Sequence, residues 1–348
     1  MEILENVALA PYTTLQVGGP ARYFIAAHSE ADLLEALAQA RRHSLPVFVL
    51  GGGSNLVVSD AGWPGLVIKI TLAGIRLQSS GEKTVFIAAA GEEWDKLVAR
   101  SVEENCAGIE CMSGIPGTVG GTPVQNVGAY GQEVADTITQ VRAIDRDSAE
   151  LRTFSNAECG FAYRTSIFNS SQKDRYIVTE VSYGLTPGGK PRIEYADLKR
   201  YFSSTTGNPT LQQLREAVRT IRASKAMLIS PDDEDSRSAG SFFKNPILSS
   251  AEYERIASLP ACREQKPPQF VAPDGQVKVS AAWLVEHAGF RKGYSEGRVG
   301  ISRKHSLAIV NRGGATATEI VSFKNTVQEG VWNAFGIRLQ PEPVMVGF

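Results

Sequence analysis

Three side chains in this sequence sit in settings that chemistry could use. Arg164 interrupts the aromatic run Phe161-Ala162-Tyr163-Arg164-Thr165-Ser166-Ile167-Phe168. An arginine among apolar neighbours is rarely buried without an anion to meet, and its planar fork takes a carboxylate or phosphate through two donors at once. A structural carboxylate would serve as that anion too. Ser241 follows Gly240 and precedes Phe242-Phe243, which could set its hydroxyl at the wall of an apolar site; serine after glycine is also common in plain turns. No GxSxG surrounds it and no histidine is near it in sequence, so a hydrolase triad has little support. Glu342 lies between Pro341 and Pro343, whose rings fix the backbone on either side. A carboxyl held that way is either an aimed acid or part of a solvated tail.

Two glycine-rich stretches stand beside these side chains. The longer, Gly114 to Gly131 (GIPGTVGGTPVQNVGAYG), has six glycines among its eighteen residues. Glycine costs backbone entropy, so that density in an ordered segment asks for positive φ or for close approach of something to the main chain. Bare amides can also converge on one anion, as in loops that hold phosphates. Ile115, Val119, Val124, Val127 and Tyr130 could anchor the stretch by burial, and Pro116 and Pro123 stiffen it, unlike a Gly/Ser linker. The shorter, Gly51-Gly52-Gly53-Ser54-Asn55, lies between Val47-Phe48-Val49-Leu50 and Leu56-Val57-Val58. It reads equally as a second phosphate-holding turn or as a tight hairpin. Two other motifs fail. Gly184–Lys190 spells GxxxxGK, but Pro191 replaces the Ser/Thr of a P-loop, and the spacing of Gly114, Gly117 and Gly120 is not the GxGxxG of a dinucleotide fingerprint.

The elements that must position these groups follow from periodicity. Residues 21–27 read as a strand, and Ser29 with Asp32 as an N-cap pair opening a helix whose Leu33, Leu34, Leu37 and Ala40 run to about His43. Residues 85–90 are a strand and 94–105 a helix; 138–145 and 176–183 are strands. Leu211, Leu214, Val218 and Ile221 mark a helix ending near Arg222, and 281–288 a core helix. Thr316 with Glu319 is a capping box for a helix reaching Phe335, with Gly336 as its stop. Ser230–Ser238 (SPDDEDSRS) reads as solvated surface.

Composition excludes several classes. With a net charge of -1 nothing favours nucleic acid, which would call for a basic face, and 43% hydrophobic residues suffice for a core. Four cysteines without CxxC spacing read as reduced thiols, and four scattered histidines make a histidine-based metal site unexpected. No signal-peptide pattern or membrane span is evident, so a soluble cytoplasmic protein is expected.

Taken together, the two glycine loops, Tyr163-Arg164, Gly240–Pro246 (GSFFKNP), Pro341-Glu342 and Thr13–Gly19 (TTLQVGG) resemble, in content and order, the UDP-N-acetylenolpyruvoylglucosamine reductases. These are flavoenzymes that complete UDP-N-acetylmuramate in bacterial cell-wall peptidoglycan synthesis. The resemblance covers nearly the whole chain. It implies an α+β fold of three domains: two FAD-binding subdomains of the vanillyl-alcohol-oxidase type at 1–70 and 71–215 (with the tail 340–348), and an α+β substrate domain at 216–339.

The resemblance also implies residue roles. Gly51, Gly52, Gly53, Ser54, Asn55 and Leu56, with Ile115, Pro116, Gly121, Thr122, Asn126, Gly128, Ala129 and Tyr130, would hold FAD without a covalent bond, largely through backbone amides. Arg164 would grip the substrate carboxylate and Tyr163 would line the site. Ser241 would donate the proton, with Glu342 as partner acid. Tyr195 resembles the tyrosine that covers the diphosphate in the type I branch. Lys225 and Asn245 would be further diphosphate ligands, and Gln125 a sugar contact. NADPH would reduce FAD, and hydride would then pass from flavin N5 to the enolpyruvyl β carbon of UDP-N-acetylglucosamine enolpyruvate. A monomer without metal is expected. Two departures from the family pattern are visible: the segment between Lys225 and Ser241 is longer and more acidic, and Pro343 stands where many members carry a branched aliphatic residue. The alternatives are a non-covalent FAD oxidase acting on a small alcohol and a flavin-free UDP-sugar binder.

Overall fold

A computed structural model of the chain describes residues 2–204 and 207–348, and it divides into two compact units. The first comprises residues up to Val7, Ala21–Gly53 and Pro64–Leu228. Its helix Glu30–Arg42 opens with the expected capping box: Ser29 Oγ accepts from the Asp32 amide, and the Asp32 carboxylate accepts from the Ser29 amide. Leu33, Ala36, Leu37 and Ala40 bury along one side. Strand Val47–Leu50 lies parallel to Trp63–Ile70 with Leu50 opposite Lys69, in a four-stranded sheet completed by Pro20–Ala27 and Leu4–Ala8.

A larger sheet carries Leu151–Ser155, Ile138–Asp145, Tyr176–Pro187, Lys83–Ala89 and Ile75–Ser80 in that order, antiparallel throughout. Its long middle strand continues past the predicted end at Tyr183 to Pro187, because Thr186 and Pro187 pair with Ala107 and Cys106. Helix Trp94–Glu103 buries Trp94, Leu97, Val98 and Val102. Trp94 Nε1 donates to the Met112 carbonyl at 3.0 Å, which fixes the chain just before the long glycine stretch. Helix Leu211–Ser224 buries Leu214, Ala217 and Val218 in a small core with Cys111 and Leu198.

The second unit comprises Ala8–Pro20, Ser54–Trp63 and Ile229–Phe348. An antiparallel sheet orders Ser238–Ser241, Ala308–Asn311, Val299–Ile301 and Ser295–Glu296. Helix Ala317–Phe335 starts at the Thr316–Glu319 capping box and stops at Gly336, whose φ of 67° is left-handed. Asp60 adds to the cap by accepting from the amides of Ala317 (2.7 Å) and Thr318 (2.9 Å). Strand Leu56–Val58 does not fold back on Val47–Leu50; it pairs in parallel with Val344–Val346. The shorter glycine turn is therefore not a hairpin.

The acidic segment Ser230–Ser238 departs from the solvated loop its composition predicts. Asp235 is fully buried. Its carboxylate accepts from the Arg303 amide at 2.8 Å and the Ser302 hydroxyl at 3.2 Å, and it faces the guanidinium groups of Arg303 and Arg312. Burial by itself would raise this carboxyl, but the Arg303 hydrogen bonds outweigh it and hold the group below the usual carboxylate range. The cations that pin the loop come from a remote part of the chain, which local composition cannot reveal. Among the described residues no helix is long and apolar enough to cross a membrane, and no cluster of His, Cys, Asp and Glu could hold a metal ion.

Candidate functional site

The two glycine stretches meet within the first unit. A Cβ built on Gly52 would stand 2.4 Å from the Gly117 Cα, and one on Gly51 would stand 3.1 Å from Thr118 Oγ1. The longer stretch is anchored rather than free. Val119 and Val127 are buried, and Ile115, Val124 and Ala129 pack against the same core. The Val119 and Gly120 amides donate to the Glu92 and Ala90 carbonyls at 2.9 Å. At its start, the Gly114 amide donates to Asp95 (2.5 Å) and its carbonyl accepts from Arg222 (3.1 Å). Burial works to raise the Asp95 carboxyl, but hydrogen bonds from Arg215 and Gly114 prevail and keep it low and ionised.

Where the stretches touch, donors are left over. The amides of Gly52, Gly53, Gly117 and Thr118 donate to no protein group among the described residues, and Thr118 Oγ1 is buried without a partner. A buried hydroxyl left unpaired costs about 1–3 kcal/mol, so an acceptor is expected there. A group of amides with one hydroxyl is the donor set a diphosphate takes. An added Cβ on Gly121 or Gly131 would meet nothing within 4 Å, so the long stretch leaves open space at those two positions. These residues fit the FAD that the sequence implies. By contrast, the Thr122 and Asn126 side chains serve the loop itself. Thr122 Oγ1 bonds the Val119 carbonyl (2.8 Å) and the Tyr183 hydroxyl (2.6 Å). Asn126 donates to Glu133 (2.8 Å) and the Ala162 carbonyl (3.0 Å) and accepts from the Ala135 amide (3.1 Å).

Arg164 is brought to this same stretch. Reciprocal amide–carbonyl bonds between Ala162 and Thr165 make Tyr163-Arg164 the tip of a tight turn, and Arg164 takes a φ of +54° that few non-glycine residues adopt. The Asn169 side chain holds its carbonyl at 3.1 Å. Its guanidinium donates to the Gly128 carbonyl at 3.0 Å and, at 3.5 Å, reaches that of Asn126. It also lies over the Tyr163 ring, 5.6 Å from the centroid. Gln125 is half-buried on the same stretch.

Tyr130, Tyr195 and Lys225 form a further group in this unit. The rings of Tyr130 and Tyr195 meet edge to face at 5.4 Å, and Lys225 Nζ lies 6.0 Å from the Tyr130 ring and 2.5 Å from the Asp197 carboxylate. Tyr195 keeps 45% of its surface exposed, whereas burial pushes the Tyr130 hydroxyl up to about 12, against the pull of Arg222.

Within the second unit, Ser54, Asn55, Leu56, Ser241, Asn245 and Glu342 lie on segments that hydrogen bonds tie together. Thr14 Oγ1 donates to the Ser238 carbonyl at 2.6 Å and the Ser54 carbonyl at 3.3 Å. The Glu342 amide donates to the Phe242 carbonyl at 2.9 Å, and the Asn55 side chain donates to the Glu342 carbonyl at 3.1 Å. The strand bulges before Ser241, with Gly240 at a φ of 74°. Asn245 Oδ1 accepts from the Ala281 amide at 2.9 Å, so it also caps the helix Ala281–His287. Sequence reading missed Thr118, Lys69, Asp95 and Arg222. Thr118 left a signal, as a hydroxyl set among the glycines of the long stretch, and so did Lys69, as a charge within the apolar run Leu66–Ile70.

These features define a flavoprotein of the FAD-binding class: a family model described as an FAD binding domain matches residues 21–154. A model described as the C-terminal domain of UDP-N-acetylenolpyruvoylglucosamine reductase matches residues 231–346. The UDP-N-acetylenolpyruvoylglucosamine reductase of Thermobifida fusca is 48% identical over 348 residues, covering 98% of this chain and 97% of that protein. That of Mycobacterium tuberculosis is 42% identical over 357 residues, 99% and 95% covered. The crystal structure of the reductase from Thermus caldophilus superposes with a TM-score of 0.65 at 25% identity, covering 99% of this chain and 98% of that one. The chain belongs to the UDP-N-acetylenolpyruvoylglucosamine reductase family.

Proposed function

We propose that this chain reduces UDP-N-acetylenolpyruvoylglucosamine to UDP-N-acetylmuramate for peptidoglycan synthesis, with FAD held non-covalently and NADPH as the hydride source. The observation that carries the reading is the set of unpaired donors at Gly52, Gly53, Gly117 and Thr118, where two glycine stretches touch. FAD held by these donors would supply hydride, received from NADPH, for the enolpyruvyl β carbon.

The chain's own residues then manage charge and protons. Arg164, seated on the Gly128 carbonyl beside the cofactor loop, grips the substrate carboxylate in two-pronged fashion as negative charge moves toward it. Preorganisation supports this role: the turn, the Asn169 bond and the carbonyl seat fix the guanidinium before substrate arrives. Ser241 delivers the proton to the α carbon, which is strongly basic once hydride has added. Glu342 supports the same developing charge. The Phe242–Glu342 backbone bond favours a joint role, because it ties the segments carrying hydroxyl and carboxyl together. Tyr195 covers the diphosphate, with Lys225 and Asn245 as its charged and polar contacts, Gln125 meets the sugar, and Tyr163 lines the cleft. The reading carries with it a monomeric, cytoplasmic enzyme.

An absorption spectrum of the purified protein, followed by NADPH oxidation with and without the enolpyruvyl substrate, tests the proposal. Flavin bands released by denaturation and substrate-dependent oxidation are expected. A colourless protein that binds UDP-sugars, or oxygen-linked turnover of an alcohol, would overturn it.

A further inference from the structure

Lys69 is out of place by composition. It is the charged residue in the strand Trp63–Ile70, where Leu66, Val67, Ile68 and Ile70 are all buried. Such a site suits an apolar side chain, since removing an ammonium from water is costly. No carboxylate among the described residues offsets that cost: burial lowers the ammonium's affinity for its proton, and no neighbouring charge restores it. Its hydrogen bond goes instead to the Gly51 carbonyl, on the parallel neighbouring strand's exit into the short glycine turn.

That bond has a geometric consequence. In a trans peptide the C=O and N–H of one unit point in opposite directions. Drawing the Gly51 carbonyl toward Lys69 therefore turns the Gly52 N–H to the other side, and that N–H has no acceptor among the described residues. Contact of Gly52 with the Gly117 backbone limits the turn's freedom to rotate back. An uncompensated cation one peptide unit behind outward-facing amides also adds positive potential where an anion would bind.

We propose that Lys69 is a positioning residue for the cofactor diphosphate, orienting the Gly52 amide through the Gly51 carbonyl and supplying unpaired positive charge behind it. The inference rests on the reading that the Gly51–Gly53 turn holds FAD. The variants Lys69→Met, Lys69→Gln and Lys69→Arg separate its two parts: methionine removes donor and charge, glutamine keeps a donor, and arginine keeps both.

The test is titration of each deflavinated variant with FAD, followed by flavin fluorescence, alongside hydrogen exchange of the segment 47–56 and thermal unfolding without flavin. Lys69→Met should weaken FAD binding by about 10- to 100-fold, the equivalent of one charge-assisted hydrogen bond, with Lys69→Gln intermediate and Lys69→Arg near the parent. Lys69→Met without flavin should be at least as stable as the parent, because a half-buried charge with no carboxylate beside it among the described residues has gone. A merely structural lysine would instead lower stability with and without flavin alike, and that result would overturn the inference. Equal FAD affinity in all variants, with 47–56 protected by FAD in the parent, would overturn the role of Lys69 and leave the loop reading standing. Absence of FAD protection at 47–56 in the parent would overturn the loop reading itself.

Discussion

Gly52 and Gly117 lie main chain against main chain, so close that a methyl group on Gly52 would stand 2.4 Å from the Gly117 Cα. Two segments that are far apart in sequence thus share one surface, lined by amides that no protein acceptor among the described residues uses. Gly52→Ala should force the two stretches apart at the turn proposed to hold FAD. Overpacking against backbone costs about 1–3 kcal/mol, and FAD should dissociate more readily. Thermal unfolding and flavin release on dilution would check this; unchanged flavin retention would show that the contact does not shape the site.

Ser241→Ala separates the two halves of the reaction. Reduction of FAD by NADPH should stay near the parent rate, while the step that consumes the enolpyruvyl substrate should fall by ~10²–10⁴-fold. Stopped-flow measurement of the flavin band resolves the two steps. An equal fall in both would remove the serine from proton donation.

Arg164→Lys tests the carboxylate grip. A lysine keeps the charge but loses the two-pronged donor geometry, and its shorter head also forgoes the Gly128 seat. Substrate turnover should drop severely with FAD content unchanged. Near-normal turnover would count against the assigned grip.

Asp235 links pH to stability in the second unit. Its folded carboxyl is held below the ordinary range by the Arg303 hydrogen bonds, which outweigh burial. Its stabilising contribution is therefore present above the unfolded value of about 4 and is lost as pH falls through the lower folded value. Asp235→Asn should cost about 1–3 kcal/mol at neutral pH, discounted because the Arg303 side chain is 57% exposed. The variant should also show a flatter acid limb in its unfolding midpoint against pH. Identical acid limbs would show that this buried pair does not govern acid lability.

What the sequence determined by itself was local or held in motif strings. The capping boxes at Ser29–Asp32 and Thr316–Glu319, the left-handed stop at Gly336 and the stripe Leu211, Leu214 and Val218 all follow from short-range rules and appear as predicted. The family was legible because its glycine and GSFFKNP strings occur in order, and the relatives bear it out. Only the tertiary structure decided the rest. Gly52 on Gly117, Lys69 behind the Gly51 carbonyl, Arg164 on the Gly128 carbonyl and Asp235 under Arg303 each join residues from separate elements. Periodicity and propensity describe the backbone over a few residues, whereas close approach and charge compensation depend on which remote group the folded chain brings alongside. A run such as SPDDEDSRS therefore reads as solvated until the arginines that neutralise it are in place.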